Sequence, residues 1–374
     1  MASRRQWHLS VLSAIVGAAL LAACGGGDSG PSTTRVVSFG DSLSDLGTYA
    51  PATSLAGTGA APFFGGRFTS NTHTGYTAAS NSNTATIWVE WVAARLGVAI
   101  TQAAVGFATT NIPCPAAANP ALASSCTAYG QGGSRVTDPN GIGKTGGALT
   151  VPVVTQMANH LTRFTSYGAG DIVFVWAGSN DMLIQFGAVA QGLPPATAVA
   201  NMQLAATQLA TLIKDQVVAK GATRVAVMNV PDGSIAPAFS ALPAANKALL
   251  TQLSAEFNST LTTSLAGVDV RMIDIRAFIG DAIANPAKYA FTNATVAACD
   301  PAKIAGITGG RVTDGSSLFC NAASGQPFNG LKTGASASTW LFADGVHPTS
   351  GGHKAISDFV IGKLKEFGWM PINQ

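Results

Sequence analysis

The stretch VVSFGDSLSDLG, Val36 to Gly47, places a short apolar run directly before a Gly-Asp-Ser turn. A Val-rich run of this length that ends at a turn predicts a strand buried on both faces of a sheet. The turn would then present the Ser42 hydroxyl at the carboxyl end of that strand, where sites form in parallel sheets. Two interpretations remain open at this point: a Ser/Asp helix cap, or a nucleophilic serine.

Beyond this stretch, four more runs rich in Val and Ile predict strands over Val98 to Ala104, Asp171 to Ala177, Arg224 to Val230 and Val268 to Ile275. Helical spacing lies between and after them, over Thr86 to Leu96, Val151 to Phe164, Ala196 to Val218, Ala244 to Leu265 and Ser350 to Phe367. This alternation predicts an α/β fold with a central parallel sheet of about five strands, right-handed connections and helices on both faces.

Three long segments interrupt the alternation: Thr48 to Asn83, Gly106 to Thr150 and Phe291 to Thr339. Loops of this length in a compact domain are usually functional or disordered. Two of them carry cysteine pairs, which favours ordered excursions from the sheet.

The N-terminus of the 374-residue chain has the pattern of an export signal, with Arg4 and Arg5 before the apolar stretch Val11 to Ala23. That stretch is too short for a comfortable membrane span. Its end, Leu21-Ala22-Ala23-Cys24, is similar to a bacterial lipoprotein box, although an ordinary Ala-x-Ala cleavage site stays open. We therefore expect a signal peptide over 1–23, a flexible tether over 24–34 and one domain over 35–374.

The charge of the chain bears on which partners it can bind. Charged residues make up 10% of the chain and the formal net charge is +3, so nothing indicates binding to nucleic acid.

Besides Cys24 there are four cysteines, an even number in an exported chain, for which local pairing is the simplest of three connectivities: Cys114–Cys126 and Cys299–Cys320. No zinc-type spacing occurs, so we expect no metal.

A nucleophilic serine needs a base, and His347 is the best placed of the histidines outside the leader. Asp344 precedes it by three residues in Phe342-Ala-Asp-Gly-Val-His-Pro-Thr349, so a tight turn would let the carboxylate accept a hydrogen bond from His347 Nδ1. The alternative is a turn that only leads into the last helix. His73, His160 and His353 are the other candidates.

Two turns could supply hydrogen-bond donors for an oxyanion. The strand Asp171 to Ala177 runs into Gly-Ser-Asn-Asp, which would bring the Asn180 amide to the sheet edge that holds Ser42. The glycine turn Tyr129 to Arg135 could bring a backbone N–H close to a ligand, with Gly133 the better choice and Gly132 the next. Taken singly, such turns are more often structural.

Together these motifs resemble the GDSL hydrolase family, also called SGNH, along most of the chain. The resemblance implies a flavodoxin-like three-layer α/β/α sandwich and ester hydrolysis. Carried over residue by residue, it implies Ser42 as nucleophile, Asp344 and His347 as the supporting pair, and Gly133 and Asn180 as oxyanion donors beside the Ser42 N–H. Gly66-Arg67-Phe68 and Asn229-Val-Pro-Asp232 are weaker matches.

The resulting hypothesis is a serine ester hydrolase that needs no cofactor and acts as a monomer on carboxylic esters with short- to medium-chain acyl or lipid-like groups. A phospholipase A or lipid acyltransferase is the first alternative, and a surface lipoprotein that binds without turnover is an alternative of another class. By resemblance, Gly25 after Cys24 favours the outer membrane; the other possibility is a secreted enzyme.

Overall fold

The computed structural model describes residues 31–53, 65–74 and 83–372. The predicted leader, Cys24 and most of the predicted tether lie outside these residues.

Six parallel strands form the central sheet, in the order β2-β5-β1-β6-β7-β8. Two further strands of the described residues, β3 and β4, form an antiparallel hairpin. In chain order the strands are β1 Arg35–Gly40, β2 Thr101–Gln102, β3 Ala104–Phe107, β4 Thr110–Pro113, β5 Cys126–Ala128, β6 Asp171–Trp176, β7 Val225–Met228 and β8 Arg271–Ile273.

The parallel α/β architecture predicted from the sequence is confirmed, with six strands instead of about five. The additional strand, β5, lies inside the second long segment and is only three residues long. The predicted strand Val98 to Ala104 divides: Thr101–Gln102 joins the sheet, and the chain then turns into the hairpin. Of the predicted strand Val268 to Ile275, only Arg271–Ile273 pairs with β7.

The helices of the described residues cover both faces of the sheet. In chain order they are α1 Ala50–Thr53, α2 Trp88–Arg95, α3 Val153–Phe164, α4 Ser179–Ala190, α5 Pro195–Gln216, α6 Ala244–Ser264, α7 Ile275–Ala284, α8 Pro301–Ile307 and α9 Ser350–Glu366. The five predicted helices correspond to α2, α3, α5, α6 and α9, with ends displaced by no more than two residues. The sequence did not predict four helices of the described residues. α7 begins at Ile275, inside the predicted strand Val268 to Ile275, and α4 begins in the Gly-Ser-Asn-Asp stretch that was interpreted as a turn, while α1 and α8 lie in two of the long segments.

Alternation along the strands divides the core into two layers. Val37 and Phe39 of β1 face α3, α5 and α6 in one cluster of buried residues. Val36 of the same strand faces the other way, into a second cluster with α2, α7 and α9. Because both faces are covered, the central strands β1, β6 and β7 carry apolar residues on both sides, as the sequence pattern of a buried parallel sheet requires.

Two excursions from this sandwich are closed by disulfides. The pairs are Cys114–Cys126 and Cys299–Cys320, which confirms the local pairing. Cys299 and Cys320 belong to a third, smaller cluster of buried residues that includes Ile304 of α8 and Leu331. The excursion between them is therefore packed around a core of its own.

The segment that leads into β1 is held by hydrogen bonds from Arg224, which lies directly before β7 and is buried. Its guanidinium donates to the carbonyls of Pro31 at 3.3 Å and Ser32 at 3.2 Å, and to the Thr33 hydroxyl at 3.2 Å. These residues lie at the amino ends of the strands, whereas Ser42 lies at the carboxyl ends. Among the helices described, none combines the length and apolarity that crossing a membrane requires.

Candidate active site

Ser42 follows β1 in the way the sequence predicted. The strand ends at Gly40, whose N–H donates to Gln156 Oε1 at 2.9 Å and whose carbonyl accepts from Gln156 Nε2 at 2.8 Å. A Cβ at Gly40 would lie 2.3 Å from the Trp176 carbonyl oxygen, so the close approach of β1 and β6 requires glycine there. A short 3-10 turn, Ser42–Ser44, begins next, and Asp41 Oδ1 caps it by accepting the Leu43 N–H at 3.0 Å.

His347 meets Ser42 across 305 positions of sequence, and Asp344 supports His347 from behind. His347 Nε2 lies 2.8 Å from Ser42 Oγ, and His347 Nδ1 lies 2.8 Å from Asp344 Oδ2. Asp344 Oδ1 also accepts the backbone N–H groups of Val346 at 2.9 Å and His347 at 2.8 Å, which closes the predicted turn. The three side chains form a continuous hydrogen-bonded chain, with the hydroxyl at one end and the carboxylate at the other.

The electrostatics of the pair favour a charged carboxylate and a basic imidazole. Burial alone would raise the pKa of Asp344, but the charge of His347 and the hydrogen bonds from His347, Ser317 and Val346 hold that pKa well below its usual range. Burial would lower the pKa of His347, yet the charge and hydrogen bond of Asp344 raise it above the ordinary value for histidine. An imidazole in this position can accept a proton from Ser42 Oγ.

The Asn180 amide reaches the same edge of the sheet. The register of β1 and β6 pairs Gly40 with Trp176, so the turns after the two strands lie side by side. Asn180 is buried, and its Nδ2 donates to the Ser134 carbonyl at 2.9 Å, which fixes the orientation of the amide and leaves its second N–H.

The glycine turn lies against the nucleophile loop through Asp45. The Gly132 N–H donates to Asp45 Oδ2 at 2.8 Å, and Asp45 Oδ1 accepts the N–H groups of Gly47 at 2.8 Å and Thr48 at 2.6 Å. Gly133 has a φ of +81°, and a Cβ there would lie 2.0 Å from the Ile142 carbonyl oxygen. This position therefore requires glycine for its conformation and for the close approach.

The other candidate histidines lie away from Ser42 and are buried. His353, six residues after His347, accepts the Trp88 N–H at its Nδ1 (3.4 Å), and burial lowers its pKa to about 3. His160 stacks on Tyr167 at 4.4 Å between ring centroids, and burial lowers its pKa to about 4. His73 Nε2 hydrogen-bonds to a backbone carbonyl at 2.7 Å. Each fits a structural role.

A cavity of about 640 Å³ opens over Ser42 and His347. Its walls are mostly apolar, and the Tyr49 ring in them contacts both Phe68 and Phe107 edge to face. Both disulfide-bearing regions contribute: Phe107 belongs to the β3–β4 hairpin, and Phe319 belongs to the excursion between Cys299 and Cys320. In the portion of the chain that is described, no group of three or more His, Cys, Asp or Glu side chains could hold a metal ion.

Sequence reasoning missed two groups that hold this arrangement: Asp45 and the Ser317 N–H. Asp45 did carry a local signal, because an aspartate two residues before a glycine is typical of an Asx turn. Its bond to Gly132, however, joins segments 87 positions apart. Nothing in the local sequence around Ser317 indicates its bond to Asp344.

Comparison with known proteins adds the following. The family model described as GDSL-like Lipase/Acylhydrolase matches residues 36–360. Among solved structures, Est24, a carbohydrate acetylesterase from Sinorhizobium meliloti, is similar with 14% identity, covering 90% of this chain and 100% of its own, at a TM-score of 0.37. A likeness this distant carries no argument about the site. Comparison with curated proteins finds no match.

Proposed function

Since the chain belongs to the GDSL-like lipase/acylhydrolase family, a family of ester hydrolases, we propose that it cleaves carboxylic esters through an acyl-enzyme on Ser42. The observation that carries the proposal is the hydrogen-bonded chain from Ser42 Oγ through both ring nitrogens of His347 to Asp344, with 2.8 Å at each link. A serine that only caps a helix would not need this series of hydrogen bonds.

In the proposed reaction, His347 Nε2 takes the proton of Ser42 Oγ as the oxygen attacks the ester carbonyl carbon. The imidazolium that forms is stabilised by the Asp344 carboxylate. Protonated His347 then donates to the leaving alkoxide oxygen as the carbon–oxygen bond breaks. His347 then takes a proton from a water molecule as that water attacks the acyl-enzyme. The carboxylic acid leaves, and the proton returns from His347 to Ser42 Oγ. The residues named supply every proton transfer.

The tetrahedral oxyanion would be held by Ser42 N–H, Gly133 N–H and Asn180 Nδ2. Gly133 is favoured over Gly132 because the Gly132 N–H is already donated to Asp45. Neither the Ser42 N–H nor the Gly133 N–H is given to another group of the described residues. Preorganised donors of this kind are each worth roughly 10²–10³ in rate.

For the substrate, we propose esters with short- to medium-chain acyl groups. The support is the size and apolar lining of the cavity, which suit an alkyl chain better than a hydroxylated sugar. One observation favours a phospholipid as the second candidate: Arg311 is the only lysine or arginine that lines the cavity within the described residues, and a guanidinium can bind a phosphate.

The test is turnover of chromogenic esters of increasing chain length, with phosphatidylcholine as a parallel substrate. A rate maximum at short to medium chains, with little release from phosphatidylcholine, supports the carboxylesterase; the reverse supports the phospholipase. Transfer of the acyl group to an added alcohol would indicate an acyltransferase. No turnover of any ester would leave a binding protein and refute the proposal.

The nucleophile is tested by labelling with a fluorophosphonate, which reacts with an activated serine. Wild type should be labelled at Ser42, and Ser42→Ala should lose both the label and about 10³-fold or more of kcat. Ser44→Ala, two residues away in the same turn, is the matched control and should keep both. Wild-type turnover in Ser42→Ala contradicts the assignment.

For location, we propose that Cys24 is lipidated and holds the enzyme at the outer membrane. The support is the sequence Leu21-Ala22-Ala23-Cys24-Gly25 alone. Two or more acyl chains on one cysteine suffice for stable anchoring. Cys24→Ser should then move the protein from the membrane to the soluble fraction with its activity on a soluble ester unchanged. A wild type that is already soluble would favour a secreted enzyme.

A further inference from the structure

The excursion between Cys299 and Cys320 reaches the carboxylate of the proposed base pair. The Ser317 N–H donates to Asp344 Oδ2 at 2.8 Å, and both residues are buried. The other backbone donors to Asp344 belong to its own turn, Val346 and His347, and both bind Oδ1. In the part of the chain that is described, Ser317 thus supplies the one donor to this carboxylate from a distant segment.

This donor acts on the oxygen that also faces His347. Asp344 Oδ2 lies 2.8 Å from His347 Nδ1, and Oδ1 is 3.0 Å from the same nitrogen. With donors on both oxygens, the carboxylate cannot rotate about its Cβ–Cγ bond without breaking a charge-assisted hydrogen bond. Its orientation in turn sets the tautomer and the direction of the imidazole.

The position of Ser317 is fixed from two sides. Asn71 is fully buried, and its Nδ2 donates to the Ser317 carbonyl at 2.9 Å and to the Cys320 carbonyl at 3.1 Å. The Asn71 N–H also donates to the Cys320 carbonyl at 2.9 Å. The disulfide to Cys299 closes the far end of the same excursion.

The hydrogen bond from Ser317 to the carboxylate comes from its backbone N–H. The Ser317 Oγ is buried and lies close enough to Asp344 to help lower the pKa of that carboxyl, but it makes no hydrogen bond of standard geometry with any described residue. The serine side chain can therefore be removed without removing the donor, which separates the two groups experimentally.

We infer that the Ser317 N–H is a positioning group for Asp344, and that Asn71 and the Cys299–Cys320 disulfide hold it in place. The inference rests on the proposed function. The excursion between Cys299 and Cys320 would then position Asp344, in addition to forming part of the cavity wall.

Ser317→Pro removes the donor and places a ring carbon where its hydrogen was. The site accepts proline locally, because Ser317 is the first residue of a 3-10 turn and Ser316 before it is extended, with ψ of 128°. We expect kcat/KM to fall by roughly tenfold to 150-fold, the range for a hydrogen bond to a charged group. Ser317→Ala keeps the N–H and should lose only a small part of that, because it removes only the weaker influence of the hydroxyl on Asp344.

Two readouts separate positioning from a general loss of structure. Ser317→Pro should move the acidic limb of the pH–rate profile to lower pH, because a displaced Asp344 no longer raises the pKa of His347. Asp41, Asp45 and His353 also face His347, and they are unchanged in both variants. In an Asp344→Ala background, Ser317→Pro should cost nothing further, since a group that acts through Asp344 has nothing left to position.

The disulfide gives an independent variant should Ser317→Pro fail to fold. Cys299→Ala with Cys320→Ala should move the acidic limb in the same direction, whereas Cys114→Ala with Cys126→Ala should not. The inference is overturned if the acidic limb of the pH–rate profile does not move in folded Ser317→Pro or in the double cysteine variant of Cys299 and Cys320. It is also overturned if Ser317→Ala loses as much kcat/KM as Ser317→Pro. Absence of ester turnover in wild type would instead refute the proposed function.

Discussion

Asp41, the residue before the proposed nucleophile, should destabilise the fold at neutral pH. It is buried, with 1% of its surface exposed, and one of its oxygens, Oδ2, has no hydrogen-bond partner among the described residues. Burial raises its pKa from 3.8 to about 7, although the Leu43 N–H and the charge of His347 act in the opposite direction. The native protein therefore holds a proton here that the unfolded chain releases.

The sign of the effect follows from proton counting. Between pH 3.8 and about 7 the native state binds more protons than the unfolded state at Asp41, so the free energy of unfolding falls as pH rises. At about 1.4 kcal/mol for each pKa unit, the loss amounts to about 4 kcal/mol and is complete above the native pKa. Asp41→Asn keeps an oxygen for the Leu43 N–H and cannot ionise, so it escapes this loss.

The assay is urea unfolding of wild type and Asp41→Asn at several pH values from about pH 4 to about pH 8. The difference in unfolding free energy should grow in favour of the variant by about 4 kcal/mol across this range. Asp358→Asn, an exposed carboxylate on α9, controls for the loss of one negative charge. A difference between Asp41→Asn and wild type that stays constant with pH would refute the reasoning, because it would mean that Asp41 titrates alike in the folded and unfolded states.

Three further outcomes are expected. Asn180→Ala should lower kcat by about 10²- to 10³-fold with little change in KM, because its amide is proposed to bind the oxyanion only as charge develops; a KM effect alone would contradict that role. Activity should fall as pH drops through the pKa of His347, which lies above the usual histidine value, and His353→Ala should keep the same profile; a rate that is flat from about pH 5 to 8 would count against a histidine base. Thiol titration of the unfolded, unreduced protein should detect no free thiol apart from an unmodified Cys24, whereas four reactive thiols would contradict the two disulfides.

Much of the fold was predictable because a buried parallel sheet imposes a simple pattern on its sequence. Apolar runs of five to eight residues separated by helical spacing predict the strands of the sheet centre, and β1, β6 and β7 lie where they were expected. β5 could not be found in this way, since Cys126–Ala128 is only three residues long and lies within a Ser- and Ala-rich loop. It is a strand because it pairs with β1 on one side and with β2 on the other.

The approach of Ser42 and Asn180 was predictable for a related reason, because turns that follow parallel strands lie at one edge of the sheet. His347 was predicted from its spacing to Asp344 and from the family resemblance, not from the sheet. The bonds that hold them were not predictable. The Asp45 bond to Gly132 and the Ser317 bond to Asp344 depend on how long loops fold over that edge, and loop packing leaves no period in the sequence.

This division between sheet and excursions has a consequence for specificity. The positions of Ser42 and Asn180 depend on the register of β1 and β6, which pair with each other directly along six residues. The cavity wall depends on the excursions, through Phe107 in one and Phe319 in the other. Substitutions in the hairpin can therefore change which ester fits while the reacting groups stay in place. The excursion between Cys299 and Cys320 differs, because it also carries the donor to Asp344. Changes there should alter substrate preference and the rate of the chemical step together.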